Sequence, residues 1–99
     1  MRVQNMLSSN GNKVANQFII KADFTDGDKC STEVFQSYNS AIVQIDNYNS
    51  GAYQVTLDRN YWDYSVTTGK YRNKFLCETK KETQAKIDSG EYILADLNN

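Results

Sequence analysis

Residues 59–74 read RNYWDYSVTTGKYRNK and gather the side chains best suited to binding chemistry. Tyr61, Trp62, Tyr64 and Tyr71 are interleaved with Arg59, Lys70, Arg72 and Lys74. Rings stack on bases and cations meet phosphates, so this mixture is what single-stranded nucleic acid requires. Trp, Tyr and Arg also dominate the energetic centres of protein interfaces. An aromatic cluster between a sheet and a helix is equally an ordinary core, with its lysines on a solvated helix face. All three readings stand at the level of residue type.

A second group is acidic: Asp23, Asp26, Asp28 and Glu33. Several carboxylates in one place suit a hard divalent cation. The twelve-residue calcium-loop pattern that Asp26-Gly27-Asp28 would have to open does not follow, and no metal site is expected. The row could instead imitate phosphates and occupy a basic groove on a partner. It is also what a solvated hairpin tip looks like when charges guard an edge strand.

Catalysis has little to draw on. The chain has no histidine, the commonest general acid and base at neutral pH and the commonest metal ligand. Without it no Ser/His/Asp or Cys/His set can form, and no GxSxG, P-loop or GxGxxG is present. A pair of carboxylates could still act as in glycosidases, but a small sheet offers little room for a substrate cleft. The expectation is a binding protein with no enzymatic activity and no cofactor.

The whole chain is the size of one domain, residues 1–99, with 39% hydrophobic residues. Its formal charge of −1 names no partner. The distribution is more telling, since residues 20–58 sum to −4 and residues 59–86 to +4, a bipolar surface. Cys30 and Cys77 lie too far apart for a CxxC knuckle and read as two buried thiols rather than a disulfide. The first residues lack the apolar core of a signal peptide, and no run approaches a membrane span. A cytoplasmic protein, monomeric or weakly dimeric and without membrane contact, is expected.

The elements that would position these groups follow from periodicity. Residues 1–16 are polar and turn-rich and predict an irregular arm, with Met6 and Leu7 pinned to the core. Residues 17–24 alternate, placing Phe18, Ile20, Ala22 and Phe24 on one face and Lys21 and Asp23 on the other. Asp26-Gly27 signals a hairpin into a return strand at 29–36, where Phe35 on the nominally polar face points to a bulge or a second buried surface. Strands at 41–46, with Ile42 on the off face, and at 52–57 complete a meander. A four-residue spacing then joins Tyr71 to Phe75 and Lys70 to Lys74, predicting a helix over 66–77. Thr79 to Glu82 forms a capping-box pattern that opens a second helix to about Ser89, and Gly90 ends it. Residues 91–97 predict a closing strand. The fold expected is α+β, an antiparallel sheet of four or five strands with two helices packed on one face.

Four segments together resemble a known family. They are Asn16 to Ile20 (NQFII), Phe35 to Ser40 (FQSYNS), the block W-D-Y-S-x-T-T-x-K-Y-R-N-x-F-L from Trp62 to Leu76, and Ser89-Gly90-x-Tyr92. The combination is similar to small domains encoded by bacteriophages and mobile elements of low-GC Gram-positive bacteria, a family without a known function. The likeness runs from about Val3 to Leu97, and Asp23–Ser31 departs from it as an acidic insertion. The resemblance implies a phage-encoded protein at work in a bacterial cytoplasm. It further implies an anti-CRISPR inhibitor that binds a CRISPR effector, a Cas9-type nuclease first, with a single-stranded nucleic-acid-binding accessory protein as the alternative. For the inhibitor the docking residues are Tyr61, Trp62, Tyr64, Lys70, Arg72 and Lys74, or the acidic set Asp23, Asp26, Asp28 and Glu33 imitating phosphates; for the nucleic-acid alternative they are the aromatic–basic set alone.

Overall fold

Through most of the first 58 positions branched or aromatic residues alternate with polar ones, and that period of two favours strands. In the computed structural model, which describes residues 1–98, this half forms β1 (Arg2–Leu7), β2 (Lys13–Asp23), β3 (Lys29–Ser37), β4 (Ser40–Tyr48) and β5 (Tyr53–Asp58). Helices α1 (Val66–Leu76) and α2 (Lys80–Asp88) follow, and β6 (Tyr92–Ala95) closes the chain. The six strands make one sheet in chain order, antiparallel from β1 to β5. Because two helices carry the chain back to the starting end of β5, β6 pairs with it in parallel. The fold is α+β with both helices on one face, as expected, but the sheet has six strands and is mixed.

The extra strand comes from residues 1–16, which are not an irregular arm. Ser8–Asn12 is a hairpin turn, closed by Ser8 N–H to Asn12 O at 2.8 Å and Gly11 N–H to Ser8 O at 2.9 Å. Arg2–Leu7 pairs with β2 through it, an edge strand whose weak alternation hid it. Met6 is buried as expected, while Leu7 lies on the surface.

The register sorts side chains into two faces, because residues directly opposite one another point the same way. On the helix side one row crosses the sheet as Gln4, Ile19, Phe35, Val43, Leu57 and Leu94. Phe35 stacks on Phe75 of α1 with ring centroids 5.9 Å apart, and Tyr71 is buried beside it. On the open side the matching row is Val3, Ile20, Val34, Gln44, Thr56 and Ile93. The face carrying Phe18, Ile20, Ala22 and Phe24 is therefore the open one, although it is the more apolar of the two faces of β2. Phe35 is central to the core, and the register shift beside it lets both Ile42 and Val43 join that core. A bulge does this by setting two residues against one.

α2 is held by a polar cluster. Its capping box is complete, with Thr79 and Glu82 satisfying each other's backbone N–H. Lys86 Nζ lies 2.7 Å from Glu78, and the Thr83 hydroxyl donates to the same carboxylate at 2.9 Å. Burial pushes Glu78 up, but Lys86, Tyr92 and Thr83 outweigh it and hold the carboxyl below its ordinary 4.5. The Tyr92 phenol, desolvated and facing that carboxylate, is pushed up to about 12. Cys30 and Cys77 are free thiols, half-buried and exposed respectively, rather than two buried ones.

Two outcomes follow from these packing facts. Gln17 is fully buried on the helix side, and neither end of its amide has a hydrogen-bond partner among the described residues. An unpaired buried polar group costs about 1–3 kcal/mol, so Gln17→Leu, similar in volume, raises the urea-derived stability by about that amount. The second concerns acid. A depressed carboxyl stabilises the fold above its unfolded pKa and loses that contribution as pH falls through the lower folded value. Urea midpoints therefore drop below pH 4.5, the ordinary value of Glu78, and drop less steeply for Glu78→Gln.

Candidate functional site

The turn after β5 is set by one carboxylate. Asp58, 1% exposed, accepts from the backbone N–H groups of Asn60 at 3.0 Å, Tyr61 at 2.9 Å and Leu97 at 2.8 Å. That fixes residues 59–64 against the end of the sheet and turns Tyr61 and Trp62 toward the core. Ser65 then caps α1, its hydroxyl accepting from Thr68 N–H at 3.1 Å and donating to Thr68 Oγ1 at 3.1 Å. Thr68 Oγ1 in turn lies 2.9 Å from Ser37 Oγ, which ties the start of α1 to the end of β3.

Arg72 locks this assembly from inside. It is 1% exposed, and its guanidinium donates to Trp62 O at 2.6 Å, to Asp63 Oδ1 at 3.3 Å and to Asn73 Oδ1 at 2.9 Å. Its central carbon stands 5.2 Å from the centre of the Trp62 ring, a cation–π contact. Asp63 also pairs with Lys80 at 2.6 Å. Burial pushes Asp63 up, but the two cations outweigh it and its pKa is lowered. Gly69 sits over the guanidinium, where an added Cβ would lie 3.7 Å from one of its nitrogens. Much of the W-D-Y-S-x-T-T-x-K-Y-R-N block thus builds a turn and a helix start.

What this scaffold presents is an open cleft of about 580 Å³ between α1 and the turn joining β3 to β4. Tyr38, Tyr61 and Tyr64 supply its rings, and Ser40, Ser65 and Thr67 its hydroxyls. Tyr61 and Tyr64 meet edge to face at 5.4 Å. Tyr64 is 68% exposed and Tyr38 50% exposed. Tyr38 occupies the first place of a two-residue hairpin turn with φ of 55°, a conformation such turns usually give to Gly, Asn or Asp. Its N–H is held by Asn16 O at 2.6 Å, and Asn16 is itself left-handed at φ 65°. Strain of this kind persists where the surroundings enforce it, and it gathers at binding sites. The lining has no charged side chain, and it suits an amphipathic group with a flat face and hydrogen-bonding edges.

The sequence-derived candidates separate in space. Tyr61 and Tyr64 line the cleft, whereas Trp62 packs against the core and over Arg72. Lys70 and Lys74 are exposed on α1, each over the Tyr71 ring, and Lys74 Nζ also donates to Leu7 O at 2.9 Å. Arg72 is the correction, because a guanidinium this deeply buried cannot be a docking residue. Asp23, Asp26 and Asp28 lie at and beside the β2–β3 turn, with Asp23 paired to Arg2 at 3.1 Å. Glu33 stands half-buried opposite Lys21. β3 runs from this acidic tip to the cleft, a span of roughly 26 Å at about 3.3 Å per residue, so the two groups are separate surfaces. No cluster of three or more metal-ligating side chains occurs among the described residues. Among the described residues no helix is long and apolar enough to cross a membrane.

Tyr38 was not among the candidates. Its signal was visible as a turn between two alternating strands, but its approach to Tyr61 and Tyr64 depends on the Ser37–Thr68 contact, which spans 31 positions.

Removing Arg72 leaves Trp62 O unpaired and a void beneath the indole. Breaking a buried ion pair costs about 3–5 kcal/mol, and Asp63 keeps Lys80, so Arg72→Met loses about 2–4 kcal/mol in urea unfolding. A loss below about 1 kcal/mol contradicts the locking role.

No curated protein and no solved structure matches the chain. A family of unknown function, DUF8033, matches residues 1–91, which include every element except β6. The Asp58 turn, the Arg72 lock and the tyrosine cleft all lie inside that span, and the chain belongs to this family.

Proposed function

We propose that the chain is a non-catalytic binding protein that grips a partner protein through the tyrosine cleft. The observation that carries the reading is Tyr38, a bulky ring kept half-exposed in a left-handed turn beside the exposed Tyr64. Tyrosines offer large, rigid, amphipathic contact at little entropic cost, and they are enriched at interface hot spots. A cleft of this size accepts one or two partner side chains.

The identity of the partner rests on the resemblance to small phage and mobile-element domains. On that ground the target is a bacterial CRISPR effector, a Cas9-type nuclease first, which the chain binds and blocks in the bacterial cytoplasm. The single-stranded nucleic-acid alternative has less support, because Arg72 is spent internally and no cation lines the cleft.

The test is a plasmid-cleavage assay with the nuclease and its guide, with and without the chain. Protection is expected, lost at least tenfold by Tyr64→Ala and by Tyr38→Asn. Relief of left-handed strain offsets the lost ring contact, so Tyr38→Asn stays within about 1 kcal/mol of the natural chain in stability. Undiminished cleavage across several nuclease types would sink the target assignment. A shift of Trp62 fluorescence with oligonucleotide at low salt, fading as salt rises, would favour the alternative.

A further inference from the structure

The open face of the sheet reverses the usual allocation of charge. A sheet covered on one side commonly turns polar and charged residues to water on the other. Here Arg2, Lys21, Asp23 and Glu33 all lie on the helix side, outboard of the helices. The open side carries the full-width row from Val3 to Ile93, with Asn5, Phe18, Gln36 and Ala41 on one flank and Ala22, Thr32, Asp46 and Gln54 on the other. Of the chain's 11 basic and 12 acidic residues, two stand in these rows: Asp58, which ends the first flank opposite Ala95 and is 1% exposed, and Asp46. The Asp46 carboxylate is 6% exposed by residue and answered by Lys29 at 3.1 Å, Thr32 at 2.8 Å and Gln44 at 3.1 Å. Val3 is 58% exposed and Ile93 42%.

From this we infer that the open face is the interface of a homodimer, in which two copies pack sheet on sheet. The charge pattern selects a second copy. The face has no net charge to match a basic or acidic partner, and its Gln amides and Thr hydroxyls each donate and accept, so the surface is complementary to itself. A twofold axis lying between the sheets beneath Val34 and Gln44 sets Val34 against its copy within a ring of neutral Thr and Gln side chains, and Asp46 beside them carries its own Lys29. The area agrees. Six strands about 4.8 Å apart and about six residues of roughly 3.3 Å give on the order of 500 Å² before corrugation, against about 800 Å² per partner in a standard interface. A contact of this size is weak and reversible, and the cleft at the strand ends stays free.

Sedimentation velocity over a thousandfold range of concentration tests this. Mass is expected to rise from that of one 11.3 kDa chain to twice that value. Val34→Lys sets two lysines across the axis and is expected to weaken association at least a hundredfold, with circular dichroism and the low-concentration melting temperature unchanged. If Val34→Lys fails to fold, Val3→Lys at its exposed strand position carries the same test with a smaller shift. Tyr64→Ala leaves the dimer intact, which separates this surface from the cleft. A monomer at every concentration, or a dimer indifferent to both lysines, overturns the inference.

Discussion

One buried cation governs the functional end of the molecule. A guanidinium removed from water must find oxygen acceptors, and Arg72 finds them in the Trp62 carbonyl, Asp63 and Asn73. Two of those partners precede α1 and the third lies within it, so satisfying one side chain fixes the approach of the turn to the helix. The indole closes over the charge, and Asp63 passes the constraint to α2 through Lys80. Nothing in the tyrosine cleft touches Arg72 chemistry directly. The cleft exists because the segment bearing Tyr61 and Tyr64 has only one way to lie.

This division explains why the most distinctive block of the sequence is a poor guide to what the protein grips. Trp62, Asp63, Ser65, Thr68 and Arg72 form an internal machine, while Tyr64 and Thr67 look outward. Residue types suited to recognition and residue types suited to a turn-and-helix lock overlap almost entirely. Only burial tells them apart, and burial is a property of the assembled chain.

The elements themselves were largely legible. Both helices, the N-cap of α2 at Thr79 with the glycine that follows its end at Gly90, and the strands from β2 to β6 follow from period and turn chemistry alone. Sidedness was not. Phe18, Ile20, Ala22 and Phe24 make a better apolar face than Gln17, Ile19 and Lys21, yet the helices lie on the side of the latter, and Gln17 and Ile19 join the interior. Alternation states that two faces differ, and it does not state which one the helices will choose. Phe35 carried the missing clue, since its large ring on the nominally polar side marked the true interior. β1 escaped notice because an edge strand with water on its outer flank needs no strong pattern.

Strand order bears on how the chain reaches this state. Neighbours in the sheet are neighbours along the sequence from β1 to β6. Five antiparallel strands can therefore zip together hairpin by hairpin as synthesis proceeds, each closing only a short loop. The parallel pairing of β5 with β6 is different, for it must wait until both helices have formed and docked. Until then the backbone of β5 is an unsatisfied edge, open to pairing with another chain, and a strand of only four residues is what closes it.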